Sequence, residues 1–310
     1  MTCASLSATI PIKSGNNHFG IAADNNNNRI FVGNYESSSV SIIDVTREIL
    51  IDTVTIQNVP NRVYGVAFNS GNDNIYVASS DSVGIISGTQ VVHTIPNVPG
   101  ATAIAINPDN KKIYVTNQSH AVTLIDGGRN EVVGSIQVGD GPTAIAFNSF
   151  NKKVYVANSG TGPGGGNTVS VIDSTVDNPT STPIRVGDTP EGLCVSPNGD
   201  VYVTNAREGT VSVINWKDNS VSNTISLWDM IGQSAPKPSP QGITSHPNGN
   251  FYIANEASGS AAGSLSVIES RTNRVLAAIP IPGYFLRAVA VANEKVYVTG
   301  ANNVFVVKVV

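Results

Sequence analysis

One short pattern, an aromatic residue flanked by apolar residues and closed by a small residue and usually Asn, returns seven times in 310 residues. It reads RIFVGN at Phe31, NIYVAS at Tyr76, KIYVTN at Tyr114 and KVYVAN at Tyr155. It then reads DVYVTN at Tyr202, NFYIAN at Tyr252 and KVYVTG at Tyr297. Successive aromatics stand 38 to 50 residues apart. The intervals hold only β-type runs, with no sustained 3.6-residue apolar period. A repeat of roughly 40 residues made of strands cannot bury its own faces, and stacking repeats in a ring buries them all.

Each repeat carries four runs in order. Strand a resembles TAIAIN, b is the aromatic pattern, c resembles VTLID or VSVID, and d resembles VVGSIQV. The a–b connections NPDNK, NSFNK, SPNGD and HPNGN are rich in Asn, Pro and Gly, which short hairpin loops require. The runs are apolar nearly throughout, as expected of sheets covered on both faces. The expected fold is all-β, a seven-bladed β-propeller with four antiparallel strands per blade.

The last repeat ends on NVFVVKVV without a strand d, whereas SLSATIPI (Ser5 to Ile12) precedes the first strand a and has the d pattern. Residues 5–12 are therefore expected to complete the seventh blade. This closes the ring, removes two exposed sheet edges, and makes residues 1–310 one domain where length alone suggests two.

The YVTN core followed by V-S-V-I-D resembles the YVTN-repeat family of β-propellers, known from surface-layer and exported bacterial proteins. The matching residues are strand and turn positions, so the resemblance implies a fold and no site residue. Propellers of similar repeat type include sugar-lactone hydrolases and a lyase that opens virginiamycin B, which keeps an enzymatic alternative beside a binding module.

Composition narrows the partners. The net charge is −4 and no Lys/Arg cluster occurs, which argues against nucleic acid. No run of about 18 apolar residues could span a membrane. The N-terminus lacks a basic head followed by an apolar stretch, so no signal peptide is visible. The low charge of 13% nevertheless favours a secreted or cell-surface protein over a cytoplasmic one. Cys3 and Cys194 form no disulfide framework, and Cys194 in GLCVS reads as a small buried hydrophobe. No C-x-x-C, H-E-x-x-H, P-loop, EF-hand, G-x-S-x-G or haem-attachment motif occurs, so neither metal nor cofactor is expected. Gly160, Gly162 and Gly165 match G-x-G-x-x-G, but a strand follows where a dinucleotide site needs a helix.

Loop lengths point to one face. From the aromatic to the end of strand c takes 11 to 13 residues in five repeats, but 18 from Tyr155 to Asp173 and 17 from Tyr252 to Glu269. A third expansion separates Asn215 from Gln241 and contains SLWDMIGQSAPKPSP. In a propeller b–c loops and d-to-a connectors share a face, and one-sided insertions mark binding faces. The residues before the small residue of each strand a, among them Tyr64, Glu191, Gln241 and Arg287, are expected to converge on the axis, with Arg62 and His18 beside them. His120, Trp228 and Asp229 are expected above. Two arginines and a glutamate suit a carboxylate-bearing ligand, and His18 with Glu191 is the candidate acid–base pair. A small-molecule, glycan or protein ligand at the channel mouth is thus the expected partner. The Asn closing strand b in five repeats is expected to bond its own turn.

Overall fold

The computed structural model describes residues 4–12, 18–57, 62–228, 237–256 and 262–309, with the backbone alone at His18 and Phe19. The described residues form seven four-stranded antiparallel sheets and no helix. Blade 4 shows the plan: Pro142–Asn148 (a), Lys153–Asn158 (b), Thr168–Asp173 (c) and Ser181–Arg185 (d). Blade 7 orders Val289–Ala292, Lys295–Thr299 and Asn303–Val309, with Ala4–Pro11 as its outermost strand. Thr9 pairs with Phe305 and Ile10 with Val304, while a bulge at Leu6/Ala8 lets the strand follow the sheet's twist. The leading strand thus takes the strand-d place anticipated for it.

The inner strands neighbour one another right round the ring, the last (Val289–Ala292) lying beside the first (His18–Asp24). The core lies between blades rather than within them. Tyr252, Ala254, Leu265 and Val267 of blade 6 pack on Val289, Val298 and Phe305 of blade 7. Strands b and c are buried along their length, as their apolar runs require. Strand d departs from that expectation: Glu131–Gln137 is exposed at every position but Ile136. Twist splays the blades apart at the periphery, so their outer strands lose their cover.

The strand-b aromatic latches one blade to the next. Tyr155 donates its hydroxyl to Asn219 Oδ1 at 2.6 Å, and Tyr202 donates to Asn273 Oδ1 at 2.7 Å. Both acceptors sit in the following blade's c–d turn with left-handed backbone (φ 58° and 56°), which Asn tolerates well. Tyr155→Phe should therefore cost about 1 kcal/mol, read as a lowered urea midpoint at unchanged slope.

The closing Asn behaves differently from the sequence expectation. Asn117 bonds its own turn, its Oδ1 accepting from the Ser119 and Ala121 amides at 3.0 Å each. Four others reach across to strand c instead. Asn158 Nδ2 donates to Thr168 and Ser170 at 3.0 Å each, Asn205 to Thr210 and Ser212 at 3.0 and 2.9 Å. Asn34 and Asn255 hold Ser39/Ser41 and Ser264/Ser266 in the same way. The V-S-V-I-D serine is the far half of this clamp. Asn205→Leu removes both bonds and strands the buried Ser212 hydroxyl, and should cost about 1–3 kcal/mol in a denaturant melt.

Candidate functional site

Strand direction decides which side chains meet. His18 pairs with Asn34 and Thr168 with Arg185, so the start of a, the end of b, the start of c and the end of d share one rim. All three insertions are rooted there: 158–168, 226–239 and 256–263 each join strand ends on that rim. The middles of the second and third, Asp229 included, lie outside the described residues.

Inside the same rim the inner strands surround a cavity of about 540 Å3 on the ring's axis. Every blade contributes to it. Its polar lining includes Tyr64, Thr102, Gln118, Thr143, Ser159, Thr161, Glu191, Gln241 and Arg287. The small residues of strand a draw these positions together. A Cβ on Gly192 would stand 2.4 Å from the Gln241 carbonyl oxygen, and one on Gly65 would stand 2.5 Å from that of Thr102.

Four of the sequence candidates, Tyr64, Glu191, Gln241 and Arg287, therefore line one cavity. Arg287 donates Nη1 to Gln241 Oε1 at 2.8 Å, and its Nη2 lies 3.2 Å from Glu256 Oε1. Glu191 Oε1 accepts from Ser159 Oγ at 2.8 Å. Burial raises the Glu191 carboxyl above the ordinary carboxylate range, Ser159 and Arg287 oppose the shift, and Glu256 adds to it. Since the folded state then holds its proton more tightly, Glu191 favours folding at low pH, and that contribution is lost as pH rises through its raised value. Glu191→Gln should remove this part of the pH dependence from the stability profile.

The remaining candidates lie elsewhere. Arg62 is exposed and does not line the cavity; its guanidinium sits 5.4 Å over the Tyr35 ring, which meets Tyr64 edge-on at 5.2 Å. Burial raises the Tyr35 phenol, helped by Tyr64. His120 is exposed on a b–c turn with Nδ1 3.5 Å from Asp140 Oδ1. The Thr161 amide and hydroxyl hold the Asp140 carboxyl below its usual range. Trp228 is half-buried with Lys237 Nζ 5.8 Å over its ring, and it too stands off the cavity lining. His18 opens the first inner strand, but its side chain lies outside the described residues. The Gly-rich insert folds on itself, with Gly165 N bonded to Gly162 O, and enters strand Thr168–Asp173. Burial pushes the Cys194 thiol far up, which suppresses its reactivity.

Sequence reading did not single out Ser159, and it did not pair Glu256 with Arg287. Both follow a closing Asn, and both reach the first inner residue of the next blade: Ser159 to Glu191, Glu256 to Arg287. Tyr35, after Asn34, meets Tyr64 in the same way. That recurring offset is a signal that could have found them.

No protein-family model matches this chain, and no curated protein does. Among solved structures, hydrazine synthase of Kuenenia stuttgartiensis is similar over 95% of this chain and 96% of that chain, with a TM-score of 0.79. The two are 18% identical, so the likeness carries the fold alone.

Proposed function

We propose that this propeller is a small-molecule binding module whose site is the axial cavity on the loop-rich rim. The observation that supports it most is the convergence of Glu191, Gln241, Arg287 and Tyr64, from four blades, on one 540 Å3 space. That volume suits a small organic ligand, and a few fixed polar groups in a mostly apolar wall are what orientation and specificity need. The repeat signature keeps the chain beside YVTN-type propellers, which fits a display role.

A thermal-shift screen of a broad metabolite library tests this reading. Hits should stabilise the wild type and be lost in Thr102→Trp, which puts a large ring into the cavity at the register position that Tyr64 occupies in blade 2. Stabilisation that survives Thr102→Trp would place binding elsewhere.

One observation favours a second reading, acid–base chemistry on the bound molecule: the raised Glu191 carboxyl beside a cavity. If so, a hit compound would be converted by the wild type and left intact, though bound, by Glu191→Gln.

A further inference from the structure

We infer that the ligand of the axial cavity is an organic cation, a primary ammonium or guanidinium compound, received by the Glu191 carboxylate. This rests on the cavity being the binding site, and it replaces the carboxylate ligand that two arginines suggested from the sequence.

The argument is one of charge already spent. Among the described residues three that line it are ionisable: Tyr64, Glu191 and Arg287. Arg287 is held between Glu256 and Gln241, so its positive charge is matched within the wall. Arg62, the other arginine expected here, stacks on Tyr35 outside the lining. Glu191 has no such partner. Its Oε1 accepts from a neutral hydroxyl, and among the described residues its Oε2 accepts no hydrogen bond. Among the described residues the charged groups that act on it are Arg287, which favours its ionised form, and Glu256, which opposes with the smaller effect. Neither flanking inner strand, Pro142–Asn148 nor Ser239–Ser245, carries a titratable side chain. The strands behind, Lys153–Asn158 and Val201–Asn205, bring Lys153 at the far rim and the phenols of Tyr155 and Tyr202.

A half-buried carboxylate with an open oxygen facing a cavity is completed by a donor that carries positive charge. Tyr64, the single aromatic in the lining among the described residues, offers a ring for the cation's apolar side. An incoming carboxylate would instead meet Glu191 and have to displace Glu256 from Arg287.

The test uses three size-matched sets on the intact protein by calorimetry. The cations are ethanolamine, putrescine and agmatine; the neutral set is ethylene glycol and 1,4-butanediol; the anions are glycolate and succinate. At least one cation should bind the wild type and weaken tenfold or more in Glu191→Gln. Its affinity should rise with pH through the raised Glu191 value, because the cation selects the ionised carboxyl. A diol or anion that binds best and is indifferent to Glu191→Gln overturns the ligand class yet leaves the cavity reading standing. Failure of every cation overturns the class as well, and the Thr102→Trp screen then decides separately whether the cavity binds anything.

Discussion

Deleting residues 1–12 should abolish the cooperative unfolding transition and leave a protein that self-associates on a sizing column. Ile10 and Ile12 are 3% and 2% exposed, packed with Ile30, Val32 and Ile43 of blade 1 and Val304 and Val306 of blade 7. They join the two ends of the ring. Each Ile→Ala change alone should cost about 2–5 kcal/mol. Together these approach the whole stability of a typical protein, about 5–15 kcal/mol. The deletion also bares the edge of Asn303–Val309, now paired along Ala4–Pro11 with Ser7 Oγ bonded to Val306 O at 3.1 Å and Ile12 N to Asn302 O at 2.9 Å. An unpaired apolar edge recruits other chains. A synthetic peptide of residues 1–12 should restore the single transition. A deleted protein that melts like the wild type would show that closure contributes little.

The second large effect is expected at the inner ring. Gly192→Val should destabilise by about 3 kcal/mol and abolish ligand-induced stabilisation. The added Cβ alone would meet the Gln241 carbonyl oxygen at 2.4 Å and Gly242 Cα at 3.1 Å. These contacts are backbone, so relief requires two blades to part. Gly242 repeats the arrangement against the Arg287 carbonyl at 2.6 Å, and Gly20 against that of Tyr64 at 2.4 Å. Parting the blades widens the spacing of Glu191, Gln241 and Arg287 together. Ala144, at the equivalent place in blade 4, tolerates its methyl; Ala144→Gly should change stability by less than about 1 kcal/mol. Urea melts with and without a hit compound measure both effects. Wild-type stability in Gly192→Val would mean that the ring yields at this position.

The blades were legible in the chain because a repeated strand pattern is a local signal, visible without knowing what it pairs with. The closing strand was legible by subtraction, since the final repeat lacked one run and the N-terminus supplied it. The site was legible only in part. Tyr64, Glu191, Gln241 and Arg287 share a register position, and register fixes the axis. What Arg287 touches depends on Glu256, 31 positions before it, and on Gln241. No local pattern announces that an arginine's charge is already matched. Arg62 stands three residues before the small residue Gly65, where Arg287 directly precedes Ala288, and it lies outside the cavity because it precedes the strand that points inward.

The Asn clamp at the foot of the b–c loops spans five residues in blades 1 and 5, ten in blade 4 and nine in blade 6, with the same pair of bonds each time. The sheet below therefore does not register how much chain is looped out above it. Gly162 and Gly164, whose surroundings would leave an added Cβ untouched, are then a natural splice point. A foreign peptide grafted there would be displayed on a stem that the host blade already ties shut.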